Sequence, residues 1–242
     1  MKKIAFIPTR DVPAAADEAV DENSTAGRLL AFLSEAGWEV NLLVGESCLF
    51  SAFSRAVDEF NIKGDDWVIL CHDDIEIQTN ASRFNEIIEQ SINKDNTGFL
   101  GVAGAKVFTD NAIWWHEHGK HPFNSSPLSG AVLQGNSRNS MYMNTFGPYG
   151  KVAVLDGLFL CVKGVTLLQL NMKKPSYFKG HWDFCDIYYT TQTFLKGLDN
   201  YTIPIVVYHE SYGNLAGRES WHLNRAAYIE RFLPKLPLVV NG

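Results

Sequence analysis

Cysteine is scarce in this chain, and the four that occur lie far apart. Cys48, Cys71, Cys161 and Cys185 form no C-x-x-C spacing, which argues against a zinc ribbon or a redox pair. Cys71 and Cys161 fall inside apolar runs, so they read as small buried hydrophobes in a reducing compartment. Basic residues are also short: 21 Lys and Arg face 27 Asp and Glu, for a net charge of −6. A chain with that balance lacks the basic face that nucleic-acid binding needs, so no nucleic acid is expected as a partner. No apolar run approaches the roughly 18 residues of a membrane span. Lys2 and Lys3 precede the apolar stretch Ile4–Ile7, but Pro8 ends it too early for a signal peptide. A cytoplasmic protein is expected, with peripheral membrane association left open. Repeats, low-complexity segments and linkers are absent as well.

What is present is enough apolar material for a full core, 46% of 242 residues, which suits one domain. Up to about residue 110 the elements alternate. Lys3–Pro8 reads as a strand, followed by an acidic loop through Glu22. Ser24 or Thr25 caps a helix running to Ala36, which Gly37 stops. Trp38–Val44 is a second strand, and Ser47 caps a helix to Phe60. Trp67–Cys71 is a third strand, Asn80–Ile92 a helix and Phe99–Phe108 a further strand. This alternation predicts a parallel sheet covered on both faces. Beyond it, 111–151 is a long Gly-, Ser- and aromatic-rich stretch with a short hairpin inside. Val152–Val162 is a strand interrupted by Asp156-Gly157. A helix ends near Gly197, Ile203–His209 is the last strand, and Glu219–Leu233 the closing helix.

The apolar run Val68–Cys71 ends in His72-Asp73-Asp74. Buried strands of α/β proteins present their functional groups at the carboxyl end, above the sheet. Two adjacent carboxylates there repel each other unless a cation or donors neutralise them. A hard divalent metal holding a substrate phosphate fits that need.

The order of Leu70-Cys-His-Asp-Asp-Ile-Glu76, Gly101-Val-Ala-Gly104 with Trp114-Trp115, Val154-Leu-Asp-Gly-Leu-Phe-Leu160 and Val207-Tyr-His-Glu-Ser-Tyr-Gly213 resembles the family 2-like nucleotide-sugar glycosyltransferases. Within them it is similar to the group related to the streptomycin-biosynthesis protein StrF. The resemblance covers about residues 2 to 233. It implies a single GT-A domain, a Rossmann-like, mixed and mainly parallel sheet flanked by helices. Residues 1–110 would form the nucleotide-binding half, and 111–242 the acceptor-binding and catalytic half. It also implies an inverting, metal-dependent transfer, in glycan assembly, from a UDP-, dTDP- or GDP-linked sugar to a saccharide or other hydroxyl acceptor. A catalytically inactive sugar- or nucleotide-binding protein of the same fold is the alternative.

By this resemblance Asp74 and His209 are metal ligands for Mn²⁺ or Mg²⁺, and Asp73 shares the ion or faces the ribose. His72 stands where the usual acidic motif has its first acid, as a donor-pocket contact or a structural rim histidine. Asp186 is the expected base, Asp183 its rival, with an ordinary helix cap as the plain reading of either. Asp156 would contact a sugar hydroxyl, or mark a bulge. Pro8, Thr9, Arg10, Glu46 and Arg55 are expected around the nucleotide, with Arg10 able to pair a phosphate bidentately. Trp114 and Trp115 offer faces to sugar rings, or form a packed plug. His116-Glu-His-Gly-Lys-His121 lacks the spacing of a metalloprotease helix.

Overall fold

The computed structural model describes residues 1–9, 21–211 and 218–240. Its first half runs β1 (Lys3–Pro8), α1 (Thr25–Glu35), β2 (Glu39–Leu43), α2 (Leu49–Glu59), β3 (Trp67–Cys71), β4 (Ile75–Ile77), α3 (Ala81–Ile92), β5 (Thr97–Gly101), β6 (Ala103–Ala105) and β7 (Val107–Phe108). The second half adds β8 (Leu128–Gly135), β9 (Tyr142–Gly147), β10 (Lys151–Val152), β11 (Val154–Leu155), β12 (Phe159–Lys163), α4 (Gly164–Leu167), α5 (Cys185–Leu195), β13 (Asp199–Thr202), β14 (Val207–Glu210), α6 (Glu219–Phe232) and β15 (Leu238–Val239).

The helix boundaries have local causes. Ser24 caps α1 by accepting the Gly27 amide at 3.0 Å, and Asn80 caps α3 by accepting the Arg83 amide at 2.9 Å. Gly37 and Gly197 follow α1 and α5 at φ of 81° and 80°, where a side chain would be strained. Ser47 does not cap α2. Cys48 holds that position without a side-chain bond, and the Ser47 carbonyl instead accepts the Trp182 indole N–H at 3.1 Å.

The main sheet has the order β10-β13-β5-β12-β3-β1-β2. The expected strand–helix–strand units give the parallel pairs of β1 with β2 and with β3. The next expected neighbour, β5, does not adjoin β3. β12 inserts antiparallel between them, pairing Phe159 with Cys71 and Leu160 with Gly101. Both β3 and β12 are buried, so each is covered on two faces and fits the middle of the sheet.

A second sheet, β11-β6-β8-β14-β4 with β9 on β8, stands at the carboxyl end of β3. Three of the expected strands take a different form. The stretch Phe99–Phe108 is three short strands, in the main sheet, the second sheet and a pair with β15. At Gly104 a Cβ would lie 2.2 Å from the Val154 carbonyl, so glycine alone permits the close approach of β11 there. Val152–Val162 is likewise divided among β10, β11 and β12. Ile203–His209 also divides. Only Val207–Glu210 pairs there, while Asp199–Thr202, unforeseen, joins β5.

One continuous hydrophobic core joins the sheets and helices. All four cysteines are free and buried within it. Among the described residues, no helix is long and apolar enough to cross a membrane.

Candidate active site

The chain leaves β3 at His72 and enters β4 at Ile75, so three residues turn the corner between the two sheets. The corner is tied at both ends. The His72 amide donates to the Leu158 carbonyl at 3.1 Å, and the Glu210 amide to the Asp74 carbonyl at 2.8 Å. β14 pairs antiparallel with β4, setting His209 opposite Ile75. That register brings His209 Nε2 to 3.3 Å from Asp74 Oδ2, while His72 Nδ1 lies 3.6 Å from Oδ1. Ligand atoms of His72, Asp74 and His209 all fall within 4.8 Å of one another. Asp74 Oδ1 is a buried atom with no hydrogen-bond partner. Burial opposes the Asp74 charge, but the His209 and His72 imidazoles beside it outweigh that and hold its carboxyl well below the usual range. Burial likewise works against a charged His72. The Asp74 carboxylate 3.6 Å away prevails, holding the imidazole up at about 9.

Asp73 turns the other way. It accepts a hydrogen bond from the Thr9 side chain, and burial, against that bond, raises its carboxyl above the usual range. The three-residue cluster therefore contains His72 rather than Asp73, because adjacent residues on the corner point to opposite sides.

β12 brings the second acidic group. Its antiparallel pairing with β3 places Asp156-Gly157, just before it, beside the His72 corner. Asp156 is fixed by two donors, the Trp114 indole N–H at 3.0 Å and the Leu158 amide at 3.0 Å. The Gly157 amide donates to Asp186 Oδ2 at 2.8 Å. A Cβ at 157 would meet Asp186 Cβ at 2.8 Å, so glycine is what lets this carboxylate approach. Burial, and then the charge of Asp156, push the Asp186 carboxyl up to about 7.

Neither acid of the α5 entrance is the cap. Phe184 occupies that position in a left-handed conformation, φ 68°, with no side-chain bond. Asp186 lies in the first turn. Asp183 is buried, accepts from the Ser220 hydroxyl at 2.8 Å and pairs with Arg218 at 3.6 Å.

These groups line one cleft of about 570 Å³ that Pro8 also borders. Thr9 is buried at its edge, anchored to β2 by its amide. Glu46 and Arg55, expected around the nucleotide, do not line the cleft; they form an ion pair with each other. Arg10 lies outside the described residues. Trp114 lines the cleft as a packed residue: it is buried against Phe146, with its N–H spent on Asp156. His116 and His121 pair with Glu117 on the surface, and only His118 of that motif reaches the cleft.

Several lining residues escaped the sequence reading. Gln134 and Asn144 face in from β8 and β9, Arg218 precedes α6, and Trp221 packs on Trp115 with ring centroids 5.9 Å apart. The alternation of the 128–147 hairpin carries a signal for the first two. Nothing in the sequence links Trp221 to Trp115 across so many residues.

Residues 54–206 match the model of the family described as glycosyltransferase-like. The chain belongs to this family. No curated protein sequence matches it. Among solved structures, this glycosyltransferase-like chain resembles GalNAc-T7, solved with UDP, GalNAc and Mn²⁺, at a TM-score of 0.51 and 10% identity. That alignment covers 95% of this chain and 48% of that one, and at such identity it speaks for the fold alone. A197 from STIV aligns at a TM-score of 0.48 and 14% identity over 86% and 85% of the two chains. A 2-C-methyl-D-erythritol 4-phosphate cytidylyltransferase from Francisella tularensis aligns at 0.38 and 13% over 95% and 100%. The GT-A fold expected from the resemblance is the fold found.

Proposed function

We propose that this chain is an inverting, metal-dependent glycosyltransferase moving a sugar from a UDP-, dTDP- or GDP-linked donor to a saccharide hydroxyl. The observation that carries the reading is one cleft holding two unlike acidic centres. In one, two histidines surround a carboxylate kept ionised. In the other, a carboxyl raised to about 7 is aimed from a helix start.

His72, Asp74 and His209 suit a divalent ion. Their donor atoms converge, and Asp74 Oδ1 is buried and unsatisfied. Two imidazoles with one carboxylate favour Mn²⁺ over Mg²⁺, which prefers oxygen ligands and retained waters. Bound there, the ion supplies positive charge against the departing diphosphate. Asp73 and Thr9, on the opposite side of the corner, face the nucleoside, and Pro8 borders it.

Asp186 is the base. It takes the proton of the acceptor hydroxyl as the acceptor oxygen bonds to the anomeric carbon. The bond from that carbon to the diphosphate oxygen breaks, and its electron pair leaves with the nucleoside diphosphate. A carboxyl raised to about 7 is matched to proton abstraction near neutral pH, a contribution of typically ~10²–10⁴-fold. Asp183 is held by Arg218 and Ser220, so it positions the entrance of α5. Asp156, fixed by Trp114 and the Leu158 amide, sets the charge beside the base and borders the sugar.

Thermal melts with UDP, dTDP and GDP, each with and without Mn²⁺, test the reading. One nucleotide should raise the melting temperature only with the metal, and a matching sugar nucleotide should then hydrolyse slowly. If no nucleotide acts in a metal-dependent way, the proposal fails.

A further inference from the structure

The second sheet carries a track leading out of the cleft, away from the nucleotide side. His209 on β14 pairs in register with Gln134 on β8, and Gln134 with Tyr142 on β9. Partners directly opposite in a sheet project from the same face, so His209, Gln134 and Tyr142 form one row. Two strand spacings separate its ends, roughly 10 Å. That exceeds the length of one pyranose ring. β4 and the α1 packed on it lie on the other side of β14, so the row points away from Pro8, Thr9 and Asp73.

Along this row the chemistry suits sugar rather than a lipid chain or a small alcohol. Asn144, paired with Val132 and on the same face, donates its amide to Gln134 Oε1 at 2.7 Å. The other halves of the two amides, Asn144 Oδ1 and Gln134 Nε2, have no protein partner among the described residues. One acceptor and one donor side by side match neighbouring ring hydroxyls. Aromatic faces flank them. Phe146 follows on β9 and contacts His118 and Trp114 with centroids 4.8 and 5.0 Å apart. At the outer end Tyr142 is 56% exposed although it sits on a β-strand. An edge strand of a single-layer ribbon leaves such a ring available to stack.

We propose that the acceptor is a saccharide of at least two rings. The ring nearer the base engages Gln134 and Asn144, and the next ring stacks on Tyr142. This rests on the glycosyltransferase reading of the cleft and names its acceptor class. Tyr142 is a specificity-determining residue that touches neither the donor nor the reacting atoms.

The test uses saturation-transfer NMR titrations of the full chain with UDP, dTDP or GDP and Mn²⁺ present. Glucose, galactose and N-acetylglucosamine are compared with cellobiose, lactose and chitobiose. At least one disaccharide should bind about tenfold tighter than its monosaccharide, the gain typical of one aromatic contact. Tyr142→Ala should remove that gain while leaving monosaccharide binding and the nucleotide-induced thermal shift unchanged, and Tyr142→Phe should keep it. Equal binding of mono- and disaccharides, or a gain that survives Tyr142→Ala, overturns the proposal. Nucleotide binding without any saccharide binding overturns the acceptor class and leaves the transferase reading standing. Failure of nucleotide binding itself sinks both.

Discussion

Replacing Asp186 by asparagine should abolish transfer and yet stabilise the protein, with a pH dependence that reports why. The Asp186 carboxyl moves from 3.8 to about 7 on folding, because burial and the Asp156 charge disfavour its ionised form. That is roughly 3 units, and each unit is about 1.36 kcal/mol, so the ceiling is about 4 kcal/mol. The sign follows from proton counting. Between these two values the folded chain holds a proton that the unfolded chain has released, so stability falls as pH rises. The cost is absent below about 4 and complete above about 7. Asparagine is neutral throughout, and its amide oxygen still accepts the Gly157 N–H. The variant should therefore match the wild type at pH 4 and gain progressively to a plateau above pH 7. Urea denaturation across pH 4 to 8.5, with chelator and no nucleotide, measures the difference. A difference that is independent of pH, or a variant less stable at pH 8.5, would refute the argument.

Four further outcomes follow from the same geometry. Asp156→Asn removes the second cause of the Asp186 shift, so the rise of donor turnover with pH should move from near 7 toward lower pH, read from kcat/KM profiles. Gly157→Ala puts a methyl group against Asp186 and should cost transfer on the order of 10²-fold. Its nucleotide-induced thermal shift should be retained, and unaltered activity would show that the contact is unimportant. Asp74→Ala should abolish both the Mn²⁺-dependent part of the nucleotide thermal shift and slow donor hydrolysis; survival of either removes the metal assignment. Glu76 is buried between Arg28 and Arg138, whose bonds outweigh burial and keep its carboxyl below the usual range. Glu76→Gln should destabilise by about 1.5–3 kcal/mol. Since the lowered carboxyl adds stability above its unfolded value, that difference should fade in acid, as urea melts at pH 7 and 3 would show.

Much of the site was visible in one dimension because it depends on local signals. An apolar strand that stops at His72-Asp73-Asp74 is legible, since burial and charge cannot continue together. Asp156-Gly157 stood out as a break in an apolar run, and Asp186 as an acid at a helix start. Ser24 announced its cap, and Gly37 and Gly197 the ends of their helices, because those preferences act within one turn. The strands that failed were those whose partners change along their length. Phe99–Phe108 and Val152–Val162 read as single runs, yet each serves two or three sheets, and no local preference records which edge a strand will meet.

Sequence alone determined that a buried strand would end in the acidic corner His72-Asp73-Asp74, because residue chemistry and short-range periodicity are written in order along the chain; that Asp156, Asp186 and His209 would join it was only what the family resemblance implied. Tertiary structure decided which of the two adjacent acids joins the histidines. The pairing of β14 with β4 sets His209 against Asp74, and the turn of the corner sends Asp73 to Thr9. It also decided what makes Asp186 a candidate base. That follows from burial, Gly157 and a neighbouring charge 30 residues away in sequence, quantities that exist only once the sheet has closed around them.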